Sequence, residues 1–171
     1  MTDEPTRPGP GPDQRRRSGV AMTPVIEMLN THPAGPSGHA AVTTDELAAC
    51  VEDCAACALT CSMCADACLA EPEVAELRQC IRQNVDCADI CSATARVLAR
   101  RTGFDPLVAA ALLQACTTAC AACAEECASH AAHMAHCEVC AQACHRCEQS
   151  CQAVLAKLQP SVGAGAWRAD S

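Results

Sequence analysis

Apolar and small residues recur along the middle of this chain in alternating steps of three and four. An α-helix turns once in about 3.6 residues, so this rhythm marks helices that each present one face to a shared interior. Four stretches carry it. The first runs Leu47, Cys50, Cys54, Cys57, Cys61, Cys64, Cys68, and the second Leu77, Cys80, Asn84, Cys87, Cys91, Thr94, Leu98. The third runs Leu113, Cys116, Cys120, Cys123, Cys127, His130, Met134, and the fourth Cys137, Cys140, Cys144, Cys147, Cys151, Val154, Leu158. All 18 cysteines lie on these seams, where leucine ordinarily sits.

Start and stop signals bound the helices. Thr43 with Glu46 three residues on forms a capping box, which predicts a first helix over about residues 44–70. Pro72 suits a first turn and predicts a second helix over about 73–101, with Arg100 and Arg101 at its negative end and Gly103 just beyond. Asp105-Pro106 is a cap followed by a first-turn proline, and the third helix runs from there to about residue 133. A break near 134–136 leads to a fourth helix that ends at Gln159-Pro160. The fold class expected is all-α, an up-down-up-down four-helix bundle with a Cys-lined core, over residues 43–159. Residues 1–42 hold seven of the ten prolines and five of the eight glycines and read as a mostly disordered tail. Within it Thr23-Pro24 starts one short helix over 24–31, and Met22 is a second candidate start; residues 160–171 read as a loose tail.

Alternating directions place both tight turns, 1–2 and 3–4, at one end. That end holds Cys68, Leu77, His130, Met134 and Cys137, whereas Leu47, Leu98, Leu113, Val154 and Leu158 meet at the other. The core is therefore expected to be a thiol-lined tube, plugged by aliphatic residues below and opening above.

Composition narrows the classes. The chain has one Phe, one Trp and no Tyr, so its helices must pack closely around Ala and Cys. A net charge of −8 argues against nucleic acid as a partner. No segment is expected to reach the roughly 20 apolar residues of a membrane span, and Arg15-Arg16-Arg17 is followed by no apolar stretch of signal length. A cytoplasmic protein with reduced thiols is expected.

Thiols on one seam rise by about 5 Å per step, so neighbours at i and i+3 or i+4 can share an ion with sulfurs from facing helices. Soft thiolates select Cu(I), Zn(II) or iron–sulfur clusters. Many buried thiolates need many compensating cations, and a monovalent ion held by two or three sulfurs supplies them most densely. Zinc, with four ligands, would fill only about four sites, and iron–sulfur clusters draw on compact loop motifs absent here. Cu(I), many ions per chain, is the favoured cargo; a zinc or cadmium thiolate buffer is the alternative. A disulfide ladder fits poorly, because cysteines at i and i+4 on a straight helix meet the torsional demands of S–S bonds badly. An inert cysteine core is the plainer reading, set aside by the regularity of the pattern. No Glu-x-x-His pair and no nucleophile–base arrangement points to an enzyme.

The seams, the Cys-Ala-Asp-Ile-Cys segment at Cys87–Cys91 and the His-rich turn before Cys137 resemble the bacterial copper storage proteins, and among them the cytosolic branch. The resemblance covers about residues 43–158. It implies a four-helix bundle filled with Cu(I), a homotetramer, and copper admitted at the His-bearing end. It also implies all 18 cysteines as ligands, with His130 and its neighbours at the mouth. Copper chaperones or low-molecular-weight copper carriers are the partners expected. Met134 stands on the seam where a further mouth histidine is expected, and its thioether still suits Cu(I).

His130, His133 and His136 are either mouth ligands beside Met134 and Cys137 or polar residues that satisfy the negative end of a helix. His130 ranks first because it alone continues the seam. Asn84 takes a position the rhythm assigns to cysteine. A buried asparagine that fixes register is the favoured reading, and an oxygen ligand the alternative. Met63 is expected to serve packing; His32, His39 and His145 lie off the seams.

Overall fold

The computed structural model describes residues 23–34 and 41–163. The proline-rich stretch 1–22 with its arginines and Met22, residues 35–40 with His39, and residues 164–171 lie outside the described residues. The described chain forms five α-helices: α1 (Pro24–Asn30), α2 (Thr44–Leu69), α3 (Arg78–Ala99), α4 (Pro106–His130) and α5 (Ala135–Gly163). Among the described residues there is no strand.

Local chemistry sets these boundaries. Thr43 Oγ1 accepts from the Glu46 N–H at 3.2 Å while Glu46 Oε2 accepts from the Thr43 N–H at 3.0 Å, so the capping box opens α2. Lys157 on α5 also pairs with Glu46. That bond, followed by the Thr43 N–H, lowers the Glu46 carboxyl to about 2. Asp105 Oδ1 accepts from Leu107 N at 2.8 Å and Val108 N at 3.3 Å and opens α4 ahead of Pro106. Gly103, at φ 62°, turns the chain between α3 and α4 in the left-handed region that glycine enters without strain.

Three boundaries differ from the sequence expectation. The second helix was expected from residue 73, but Val74–Leu77 is a 3-10 turn and α3 starts at Arg78. No side chain caps that turn, so its free N–H groups gain nothing from an earlier α-helical start. The third helix stops at His130 and the fourth begins at Ala135, which puts His136 inside the first turn of α5. The break is tight: the His133 and Met134 N–H groups both bond the His130 carbonyl, at 3.1 and 3.0 Å. Finally, α5 runs past the expected stop at Gln159-Pro160 and ends at Gly163.

The register of sulfurs across the interior gives the helix directions. Cys50 meets Cys151, Cys57 meets Cys144 and Cys64 meets Cys137, so numbers on α5 fall as those on α2 rise. The same inversion relates α3 to α4, through Cys80–Cys127, Cys87–Cys120 and Cys91–Cys116. The diagonal pair α2 and α4 runs parallel, with Cys54–Cys116, Cys57–Cys120 and Cys61–Cys123 in step. Helices α2 to α5 thus alternate in direction around one core. Leu47, Leu98, Leu113, Val154 and Leu158 are buried together at the lower end. Helix α1 packs there too: Thr23 Oγ1 accepts from Ile26 N at 3.4 Å and donates to Glu52 of α2, while Ile26 and Leu29 join the core cluster.

Helices α2 and α4 are, by length and composition, apolar enough to cross a membrane, contrary to the expectation that no segment approaches this. Dense alanine and cysteine supply that apolarity. In both helices the cysteine seam is turned into the bundle.

Candidate metal site

All 18 cysteines are free thiols buried in the interior. Their sulfurs form a column whose steps span 3.5–4.0 Å, far beyond the roughly 2.05 Å of a disulfide. From the bottom, Cys50 lies 3.8 Å from Cys151, and Cys54 lies 3.5 Å from Cys151 and 3.6 Å from Cys147. Cys91 reaches Cys116 and Cys120, both at 3.5 Å. Higher up, Cys61 touches Cys144 at 3.5 Å and Cys140 at 3.7 Å. Helical spacing gives each sulfur its level, and the alternation of directions brings sulfurs of different helices to the same level.

These contacts close into groups of four ligand atoms within 4.8 Å of one another. They include Cys54/Cys116/Cys147/Cys151, Cys57/Cys87/Cys91/Cys120, Cys57/Cys61/Cys87/Cys144 and Cys61/Cys123/Cys140/Cys144. The groups share members: Cys57, Cys61, Cys87 and Cys144 each belong to two of these four. Shared sulfurs suit bridging thiolates between adjacent ions of low charge better than separate four-ligand sites.

Asn84 sits at the upper end of this column, fully buried. Its Nδ2 donates to the Cys80 carbonyl at 2.9 Å and to the sulfurs of Cys80 and Cys127 at 3.4 Å. Its Oδ1 accepts from Cys140 at 3.0 Å and Cys123 at 3.5 Å. The register reading of Asn84 therefore understates it, since one amide touches four thiols from three helices. Above it are Cys80, which also meets Cys68 at 3.8 Å, and Cys64, 4.0 Å from Cys137. The amide thus joins Cys80 and Cys127 above it to Cys123 and Cys140 below.

At the mouth the structure separates the three histidines. His136 Nδ1 lies 3.4 Å from the Cys137 sulfur and 3.5 Å from that of Cys64, while its Nε2 lies 3.1 Å from Glu71 Oε1. His130, first choice by seam position, instead places Nε2 3.3 Å from Glu126 on its own helix. His133 is exposed in the turn, and Met134 is partly buried against the core. Met63, expected to pack, is 64 % exposed, because its position faces away from the seam. His145 pairs with Glu148 on the surface, and His32 Nδ1 accepts from Ala34 N. Glu71 was not singled out in the sequence; it follows α2 and meets His136 only through the fold.

Electrostatics divides the thiols. Burial above all pushes Cys137 up to about 12. Deeper in, sulfurs that accept hydrogen bonds are favoured as thiolates: Cys57 is lowered chiefly by Cys120, and Cys140 chiefly by Cys123. Cys120 and Cys123 are raised, first by their bonds to Cys116 and Cys127. An arriving soft cation can bind the acceptor sulfurs and displace the remaining protons.

Fold and site together define a class: a helical bundle whose interior, rather than its surface, is a thiophilic-metal site. Residues 43–156 match the copper storage protein family, and the chain belongs to that family. A copper storage protein from Streptomyces lividans, solved with ten copper equivalents, is 53 % identical. The match covers 78 % of this chain and 98 % of that one, at a TM-score of 0.74. A cytosolic copper storage protein from the same organism, solved with five coppers, is 58 % identical over 66 % of this chain and 93 % of its own, at 0.65. A histidine-to-alanine variant of the Streptomyces protein is 57 % identical over 69 % and 98 %, at 0.68. No curated protein matches.

Proposed function

We propose that this chain is a cytosolic, non-catalytic copper store that takes up many Cu(I) ions onto its 18 cysteine thiolates. The observation that carries this is the column of shared sulfurs at 3.5–4.0 Å, whose overlapping groups favour many bridged monovalent ions over a few isolated divalent ones. Copper is admitted at the upper end. His136 and Cys137 meet the ion first with Met134 alongside, and His130 and His133 stand on the rim. It then passes by ligand exchange through Cys64, Cys68, Cys80 and Cys127 to the column below. Donors are copper chaperones or low-molecular-weight copper carriers. The assembly is a homotetramer formed through bundle exteriors, which expose Leu59, Met63, Leu69 and Val139.

An anaerobic Cu(I) titration of the reduced protein against a competing chromogenic chelator tests the reading, with Zn(II) in parallel. Uptake far above the roughly four ions that separate tetrahedral thiolate sites allow is expected. Saturation near that number with zinc preferred would replace the store with a zinc buffer. In the same assay His136→Ala slows uptake by about tenfold or more and leaves capacity nearly unchanged. Unchanged kinetics in that variant would remove His136 from the route.

A further inference from the structure

The mouth differs from the column in ligand set, geometry and surroundings. We propose that Cys64, Cys68, Cys137 and His136 form a single tetrahedral site for Zn(II), with Glu71 as its outer positioning residue, and that its occupancy controls copper admission. The second part rests on the reading of this end as the entrance.

Tetrahedral zinc with Zn–S of about 2.3 Å and Zn–N of about 2.0–2.1 Å requires ligand separations of about 3.8 Å between sulfurs and about 3.5 Å between sulfur and nitrogen. The observed separations are 4.0 Å for Cys64–Cys137, 3.5 Å for Cys64–His136 and 3.4 Å for Cys137–His136, with Cys68 within 4.8 Å of all three. Three of the ligand atoms therefore already stand near the corners of a zinc site, and Cys68 lies close enough to close the fourth with a small shift. Three thiolates and one imidazole are a zinc ligand set, and a nitrogen corner moves preference from Cu(I) toward the borderline Zn(II).

Orientation of the histidine supports this independently. A metal-binding imidazole characteristically donates its other N–H to a carboxylate, which fixes the tautomer. Glu71 stands 3.1 Å from His136 Nε2, so the proton is held there and the Nδ1 lone pair faces the sulfurs. Charge points the same way. Zn(II) with three thiolates and neutral imidazole carries one net negative charge, beside a histidine side chain that is 25 % exposed. Zn(II) in a four-thiolate group of the column would carry two, with every ligand buried. The mouth ligands also occur in none of the four column groups named above, so zinc there strands no column sulfur.

Titrating reduced, copper-free full-length protein with Zn(II) against a chromophoric chelator, and with Co(II) as a spectroscopic probe, tests the proposal. One tightly held Zn(II) is expected, and the first Co(II) shows tetrahedral ligand-field bands with sulfur charge-transfer absorption. His136→Ala loses that equivalent and its spectrum, Glu71→Ala weakens it about tenfold or more, and Glu71→Gln, which keeps an acceptor oxygen, restores part of the loss. His145→Ala, on the surface beside Glu148, changes neither. One Zn(II) equivalent slows Cu(I) uptake about tenfold in the parent protein but not, relative to its own zinc-free rate, in His136→Ala. Absence of a tight zinc equivalent, or one that survives His136→Ala unchanged, overturns the site. Zinc that leaves copper uptake unslowed overturns its control of admission. Cu(I) capacity of the same zinc-free preparations separates either failure from failure of the storage reading.

Discussion

Raising the pH of the reduced, copper-free protein from about 7 to about 11 is expected to unfold it, while the copper-loaded protein keeps its helices. Ten buried thiols have folded values above the ordinary one: Cys54, Cys61, Cys64, Cys80, Cys91, Cys120, Cys123, Cys137, Cys144 and Cys151. Hydrogen bonds to neighbouring sulfurs lead for most of them; burial leads for Cys137, held up at about 12. An unfolded cysteine releases its proton near pH 8.5. Above that, the native state retains protons the unfolded chain has lost, and each such thiol costs about 1.4 kcal/mol per pH unit. The contribution is whole below about pH 8.5 and is lost as pH rises toward the folded values. If only four of the ten behave this way, about 5 kcal/mol disappears per unit, against a total stability of about 5–15 kcal/mol for a domain. Copper-bound thiolates have no such protons left to lose. Far-UV circular dichroism of both forms, anaerobic and with a non-thiol reductant, checks this. A copper-free protein as alkali-resistant as the loaded one would mean that these ten thiols do not keep their protons in the fold.

That dependence on buried sulfur was legible in the sequence because cysteine takes the inward positions of all four bundle helices. A 3–4 rhythm is a local property, and so were the capping box at Thr43, the Asp105-Pro106 start and the aliphatic lower plug. What escaped is what only the assembled bundle creates. His136 is a candidate mouth residue by sequence, but its contacts with Cys64 and Glu71 arise only because the helix break falls at 131–134 rather than at 134–136. No periodicity within α5 encodes a carboxylate contributed from beyond α2. The 3-10 turn at Val74–Leu77 was hidden for a related reason, since Pro72 signals a start but no side chain fixes where the α-helix begins. The membrane-like apolarity of α2 and α4 comes from many small alanine and cysteine side chains rather than from a run of bulky aliphatic ones.

Asn84 supplies the second large expected effect, on how copper moves after admission. Its amide hydrogen-bonds both the upper thiols Cys80 and Cys127 and the column thiols Cys123 and Cys140. An ion descending from the mouth must cross this level, where the seam offers an amide in place of a sulfur. Oδ1 accepts from two column thiols there, and can take the displaced S–H hydrogen bonds or a transient share of the ion. Asn84→Ala removes that function and opens a gap, so loading is expected to become biphasic. The mouth fills at the parent rate, and transfer to the column slows by about tenfold or more, the scale of a lost metal-orienting contact. Asn84→Cys, close to asparagine in volume, restores an unbroken 3–4 ladder of thiols and is expected to return transfer to at least the parent rate. Stopped-flow absorbance of thiolate-to-copper charge transfer resolves the two phases. Monophasic loading at the parent rate in Asn84→Ala would show that the sulfurs on either side pass copper directly, and would leave the asparagine only its role in helix register. If Asn84→Cys is as slow as the alanine variant, the amide oxygen itself, rather than a continuous ligand ladder, is what the crossing requires.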